Sequence, residues 1–170
     1  MKNIFLVYDN CCFYEIVILS YFMKFSQQDT ILCSLDGKGI KCMEGYSVNI
    51  DRALKNVDIN EVRCMTIPGG DISTINNTQV HEFVKSLVEK RAIVSAICAG
   101  VDVLDDAGVL KNIKSTHSED VEVCRDKRII TARANAYVDF AIEVARELEL
   151  FKDERDLQET IDFWKYHKRL

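Results

Sequence analysis

Apolar positions along this chain fall into two rhythms. Short unbroken runs bounded by turn residues occur at Ile4–Tyr8, Thr30–Leu35, Cys64–Ile67, Ala92–Ile97 and Ile129–Thr131. They are β-branched or apolar throughout, which predicts strands buried on both faces. Between them the period lengthens. Val80, Phe83, Val84, Leu87 and Val88 keep i, i+3, i+4, i+7, i+8 spacing with Lys85, Glu89 and Lys90 opposite, as in a helix docking one stripe on a sheet. A second helix is predicted from about Val138 to Leu150, with Phe140, Ala141, Val144, Ala145 and Leu148 inward and Glu143, Arg146, Glu147 and Glu149 in water. A last helix at about 153–168, capped by Asp153 or Asp156, carries Leu157, Ile161 and Trp164 on one side.

Strand and helix alternate from end to end, which predicts an α/β architecture: a doubly wound, mostly parallel sheet in a three-layer α/β/α sandwich. With Pro68 as the sole proline, seven glycines and no linker or repeat, residues 1–170 are read as a single domain. Ligands in such sheets bind beyond the carboxyl ends of the strands. That directs attention to Asp9–Glu15, Pro68–Asp71, Cys98–Gly100 and the segment after Thr131.

Composition narrows the function. The 170 residues are 48% hydrophobic, with 22 basic against 27 acidic side chains and a formal net charge of -5. Such a chain can bury a real core but lacks the basic footprint of a nucleic-acid binder. The opening apolar run, Ile4 to Tyr8, is too short for a leader or a membrane span, so a cytoplasmic protein without a membrane partner is expected. Seven cysteines, an odd number with no C-x-x-C pair, fit reduced thiols better than a disulfide framework or a zinc ribbon.

One cysteine stands apart. Ala92-Ile-Val-Ser-Ala-Ile-Cys98-Ala-Gly100 runs from a strand into the helical pattern Val101, Val103, Leu104, Ala107. A thiol at that turn meets the positive end of a helix, where N–H groups and the dipole favour a thiolate. The alternative is a small buried hydrophobe. Cys64-Met-Thr-Ile67 ends in Pro68-Gly69-Gly70-Asp71, whose backbone can approach a ligand and, with the amide after Cys98, form an oxyanion hole. Glu15 is the one acid in a run otherwise apolar from Phe13 to Leu19. It is either an exposed first-turn carboxylate or a buried one whose raised pKa lets it share a proton with a thiolate. His117 follows Lys114-Ser-Thr in a polar loop and is either pocket-lining or a plain loop residue; His81 and His167 are expected in solvent. No His/carboxylate cluster has ligand spacing, so neither metal nor other cofactor is expected.

In combination, Tyr14-Glu15-Ile-Val-Ile18, Ile67-Pro-Gly-Gly-Asp71, Ala96-Ile-Cys-Ala-Gly100, Ala107-Gly-Val-Leu110, Thr116-His117 and Ile130-Thr-Ala-Arg133 resemble the DJ/ThiJ/PfpI superfamily, over about Asn3 to Leu150. The resemblance is greatest to the branch that includes the parkinsonism-associated deglycase. It implies a flavodoxin-like core of the class I glutamine-amidotransferase type and a homodimer. It also implies that Cys98 is the reactive cysteine, Glu15 its protonated partner and His117 a nearby catalytic histidine. Gly70 and Ala99 would be the backbone donors, with Gly69 and Arg133 at the pocket. Ala99 stands where the protease-like branch carries a histidine, which disfavours a peptidase, and Glu15 rather than aspartate argues against the isocyanide-hydratase branch. The chain departs from its relatives at Val101-Asp102, where proline is common, and at Ala134-Asn135-Ala136-Tyr137 after Arg133; Cys11 and Cys12 precede Glu15. Asp102, one turn from Cys98, is a like charge to a thiolate. The activity implied is glyoxalase- or deglycase-like, acting on a small aldehyde or dicarbonyl. The alternative is an oxidative-stress sensor or protective protein whose Cys98 is oxidised to sulfinic acid without turnover.

Overall fold

The computed structural model describes residues 1–169. Its strands are β1 (Lys2–Leu6), β2 (Thr30–Ser34), β3 (Ile40–Lys41), β4 (Ser47–Val48), β5 (Arg52–Ala53), β6 (Val62–Ile67), β7 (Ile93–Ile97), β8 (Val123–Asp126) and β9 (Ile129–Ala132). Its α-helices are α1 (Tyr14–Phe25), α2 (Thr78–Glu89), α3 (Gly100–Asp106), α4 (Tyr137–Glu147) and α5 (Glu154–Trp164). Seven strands form one sheet in the order β5-β2-β1-β6-β7-β9-β8, parallel except where β8 runs against β9. The remaining two, β3 and β4, make a separate antiparallel hairpin.

The sheet forms where the apolar runs predicted it. β1, β6 and β7 lie side by side in its centre, and β7 is buried at every position. Helices cover both faces, so these strands need apolar residues on both sides, and the runs are continuous rather than alternating. Two buried hydroxyls, on Thr66 and Ser95, satisfy each other across β6 and β7 at 2.8 Å. α1 packs on α4 and α4 on α5, while α2 packs on α3. Both α2 and α5 begin on a side-chain cap, Asn77 and Asp153 respectively, each accepting an N–H three residues on.

The ends of two predicted helices move inward. α4 stops at Glu147, not Leu150, because Glu149 takes a positive φ of 53° and the Leu150 amide closes back on the Ala145 carbonyl. α5 stops at Trp164, short of 168, and the Lys168 amide folds back onto the Asp162 carbonyl. Among the described residues, no helix is long and apolar enough to cross a membrane.

Three neighbouring strands, β1, β6 and β7, end on the same side, and their following segments begin at Val7, Pro68 and Cys98. The sheet order therefore gathers segments that lie far apart in sequence.

Candidate active site

Cys98 is the first residue after β7 and has a φ of 56°, a left-handed conformation that costs a non-glycine residue about 1–2 kcal/mol. The turn is held on both sides: its amide donates to the Ala132 carbonyl at 2.9 Å, and its own carbonyl accepts from the Val101 amide at 3.1 Å. This is the sharp strand-to-helix elbow that lifts a nucleophile out of a sheet. The Cys98 side chain is half-buried, and the backbone N–H groups of Ala99 and Gly70 bond toward its sulfur. Gly70 has a φ of 116°, in the region that favours glycine, and a two-residue bridge ties it to Cys11. Gly69 packs hard against Cys98: a Cβ there would sit 2.5 Å from the Cys98 Cβ and 2.7 Å from its Sγ.

Glu15 reaches the same place from α1. The buried stripe of that helix is Glu15, Ile16, Leu19, Phe22 and Met23, so the carboxyl is inward by the same geometry that buries the leucine four residues on. It is only 1% exposed. Oε2 accepts the Gly69 N–H at 2.7 Å, while Oε1 makes no hydrogen bond of normal geometry. Burial drives this carboxyl's pKa upward, against the lowering effect of bonds from Gly69, Cys98 and Tyr14; the charge of Glu44 adds to the rise.

The elbow does not lower the thiol's pKa as the helix terminus alone predicts. Burial pushes Cys98 up, the Glu15 charge pushes it further, and the Ala99 and Gly70 amides only partly offset them. The two groups form one coupled unit. When the proton resides on Glu15, its repulsion of the thiolate disappears, and the amides at Ala99 and Gly70 are left to stabilise negative charge on sulfur or on an adjacent oxygen.

His117 and Arg133 are placed differently from Glu15. The His117 ring lies between two carboxylates of the elbow helix, with Nε2 3.3 Å from Asp102 and Nδ1 3.2 Å from Asp105. Among the described residues its ring bonds to α3 and not to Cys98 or Glu15. Asp102, the like charge one turn from the thiol, thus has a cationisable partner. Arg133, just beyond β9, forms an exposed ion pair with Asp120 at 2.6 Å. His81, expected in solvent, is partly buried with its ring 2.7 Å from Asn76 Oδ1.

Other residues at the site emerge only in three dimensions. The Tyr8 hydroxyl lies 2.8 Å from the carbonyl oxygens of both Pro68 and Gly69, bracing the loop from below. Cys12 bonds through its amide to the Gly69 carbonyl at 2.8 Å, and its thiol, raised to about 11 chiefly by burial, also feels Glu15 and Cys98. Tyr14 packs edge-on against Tyr137 at 5.6 Å, and its phenol senses both Glu15 and Cys98. In the sequence Tyr14 stood out only as the residue before Glu15 in the family motif.

The match to the DJ-1/PfpI family spans residues 1–147. The chain belongs to that family. YraA of Bacillus subtilis, which carries a cysteine-protease name, is 32% identical over 125 residues, 72% of this chain and 70% of that protein. Deglycase TK1284 of Thermococcus kodakarensis is 31% identical over 119 residues, 68% of this chain and 71% of that one. Among solved structures, the DJ-1 superfamily protein Atu0886 of Agrobacterium tumefaciens superposes with a TM-score of 0.87 at 21% identity, covering 99% of this chain and 100% of the other. Oxidized DJ-1 of Toxoplasma gondii gives 0.79 at 19% identity, covering 94% and 95%. The fold is thus the flavodoxin-like DJ-1 fold anticipated from the motifs, and an enzymatic role is in keeping with the family's named members.

Proposed function

We propose that the protein is a cysteine-dependent, cofactor-free enzyme of the glyoxalase or deglycase type, acting on small dicarbonyls or their adducts. The observation that carries this reading is the Cys98 elbow, its sulfur facing two backbone N–H groups and a buried Glu15 carboxyl. In the reactive form the pair shares one proton, held by Glu15. The Cys98 thiolate adds to the aldehyde carbon of methylglyoxal, forming the C–S bond. Gly70 and Ala99 amides hold the oxygen as it becomes negative, and Glu15 hands it the proton. Glu15, now a carboxylate, moves the proton of that carbon to the neighbouring carbonyl carbon, while the hemithioacetal hydroxyl gives its proton to the oxygen of that carbonyl, which becomes the new hydroxyl. The resulting lactate thioester is hydrolysed by water to lactate and free thiol. On a protein adduct, water instead releases the repaired amine.

Gly69 is assigned the wall of the pocket and Arg133 its rim. His117 is proposed to act through α3, partnering Asp102 rather than carrying protons to the substrate. Ala99 after the nucleophile supports a non-peptidase reading. A homodimer is proposed on the exposed apolar stripe of α1, where Tyr14, Val17, Tyr21 and Phe25 are each at least 44% exposed, and a reducing compartment such as the cytoplasm on seven unpaired thiols.

The test is lactate formation from methylglyoxal without glutathione, in wild type, Cys98→Ser and Glu15→Gln. Turnover in wild type alone is expected. No turnover in any of the three overturns the enzyme reading in favour of a redox sensor, in which the same amides would cradle an oxidised Cys98; mass spectrometry after peroxide then reads that state.

A further inference from the structure

α1 carries Glu15 on its first turn, yet it begins at Phe13 with no side-chain cap of its own. The cap comes from elsewhere in the chain. Glu44, at the tip of the β3–β4 hairpin, reaches over with both oxygens: Oε1 accepts the Tyr14 N–H at 2.6 Å and Oε2 the Phe13 N–H at 3.3 Å. We propose that Glu44 is a positioning residue for the reaction: it caps α1 from the hairpin and so fixes the Glu15 carboxyl between Gly69 and Cys98. This inference rests on the reading of Cys98 and Glu15 as the reactive pair.

The hairpin is strapped to the same loop at further points. Asn10 donates to the Lys41 carbonyl and Met43 to the Cys11 carbonyl, each at 2.8 Å, and Asp9 Oδ1 accepts the Lys41 N–H at 2.7 Å. Residues 9–12 in turn grip the glycine loop, through Cys12 to Gly69 and Asp71 to Asn10. Hairpin, acid and oxyanion loop therefore form one connected piece. A carboxylate at a helix N-terminus satisfies orphan N–H groups and complements the dipole. Glu44 is suited to be that anion. Partial burial opposes its ionisation, but the bonds from Tyr14, its own amide, Cys42 and Phe13 prevail and hold it below the usual carboxylate range.

Glu44 acts on Glu15 in a second way, through charge. Its carboxylate raises the pKa of Glu15, alongside burial and against the hydrogen bonds from Gly69, Cys98 and Tyr14; Cys12 and Tyr8 also face this carboxyl. A purely mechanical cap would not move a titration. Glu44→Gln separates the two effects, since its amide oxygen can still accept an N–H while its charge is gone. Glu44 is exposed, so neither Glu44→Gln nor Glu44→Ala disturbs the core.

The experiment follows the Glu15 side-chain carbon by NMR across pH in wild type and Glu44→Gln, assigned with Glu15→Gln, together with amide exchange at Phe13 and Tyr14 in Glu44→Ala. Glu44→Gln should move the Glu15 midpoint to lower pH. Glu44→Ala should speed exchange of the Tyr14 amide about fivefold, as loss of a cap does. An unmoved Glu15 midpoint, or unchanged Tyr14 exchange, would overturn the proposal. Both readouts are independent of turnover, so the absence of lactate in wild type would count against the proposed reaction and not against this role of Glu44. With turnover present, Glu44→Ala should lower kcat with little change in KM; a change confined to KM would likewise overturn it.

Discussion

The two ends of α1 present opposite kinds of surface. At the first turn, Glu15 meets Gly69 and Cys98 in a space so tight that one added methyl group on Gly69 would collide with the Cys98 side chain. At the last turn, Tyr21, Phe22 and Phe25 face Phe151, Phe163 and Trp164 of the C-terminal region across an open cleft of about 650 Å³. The roomier region has the rings, with Trp164 edge-on to Phe22 at 5.6 Å, and its lining residue Gln27 also has a positive φ, of 54°, but among the described residues it holds no unpaired buried side-chain oxygen. The proposed chemistry sits where a carboxyl is buried with one oxygen unpaired, and volume alone is a poor guide to it.

The contrast breaks most sharply at Gly69. Gly69→Ala places a Cβ 2.5 Å from the Cys98 Cβ and 3.0 Å from the Ala99 amide. Turnover and Cys98 alkylation by iodoacetamide should both fall by about 100-fold or more, on the scale of losing an oxyanion donor. Wild-type rates in that variant would mean that the loop moves freely and the site is not pre-formed. Trp164→Ala tests the other end. It should cost about 2 kcal/mol by urea unfolding, below the range for a fully buried tryptophan, with turnover within about twofold of wild type. A large loss of turnover would instead tie the cleft to the reaction.

A smaller effect sharpens the comparison through pH. Burial raises the Glu15 carboxyl above its ordinary 4.5. A carboxyl raised on folding binds its proton more tightly in the native state, so its stabilising contribution is complete below the ordinary value and is lost as pH climbs through the raised one. Glu15→Gln is neutral at every pH. Wild-type stability, measured against that variant by urea unfolding between about pH 4 and pH 8, should therefore decline as pH rises. A flat difference would remove Glu15 as the holder of the shared proton. The smallest effect is at His117. Its removal leaves Asp102 unpaired one turn from the thiol, so Cys98 alkylation in His117→Ala should slow by less than about threefold, and salt should erase the change.

What the sequence revealed follows from how local each cause is. β1, β6, β7 and β9 were legible because central parallel strands need apolar residues on both faces, leaving continuous runs. β3, β4 and β5 have two residues each, and β8 is a half-buried edge; none has enough apolar pattern to stand out. The elbow was legible because a cysteine, a small residue and a glycine crowd one strand-to-helix turn. The burial of Glu15 was implied only by the family resemblance, since α1 is apolar almost all round, with Val17 and Tyr21 in solvent, and its inward face cannot be told from periodicity alone. Glu44 was invisible for a different reason: it acts on Tyr14 across 30 positions of chain, through a hairpin too short to announce itself. His117 was singled out as a candidate, but its company of Asp102 and Asp105 depended on how the loop folds over α3.

The site is assembled from segments made at different times during synthesis. A growing chain that has reached Gly70 already holds Glu15, Glu44 and the glycine loop, but the strand that leads to Cys98 is still missing from the sheet. The left-handed turn at Cys98 can be sustained only once β7 has paired with β6 and with β9, whose last residue, Ala132, receives the Cys98 amide. The elbow that brings Cys98 to Glu15 and the glycine loop therefore forms late, with the closing of the sheet.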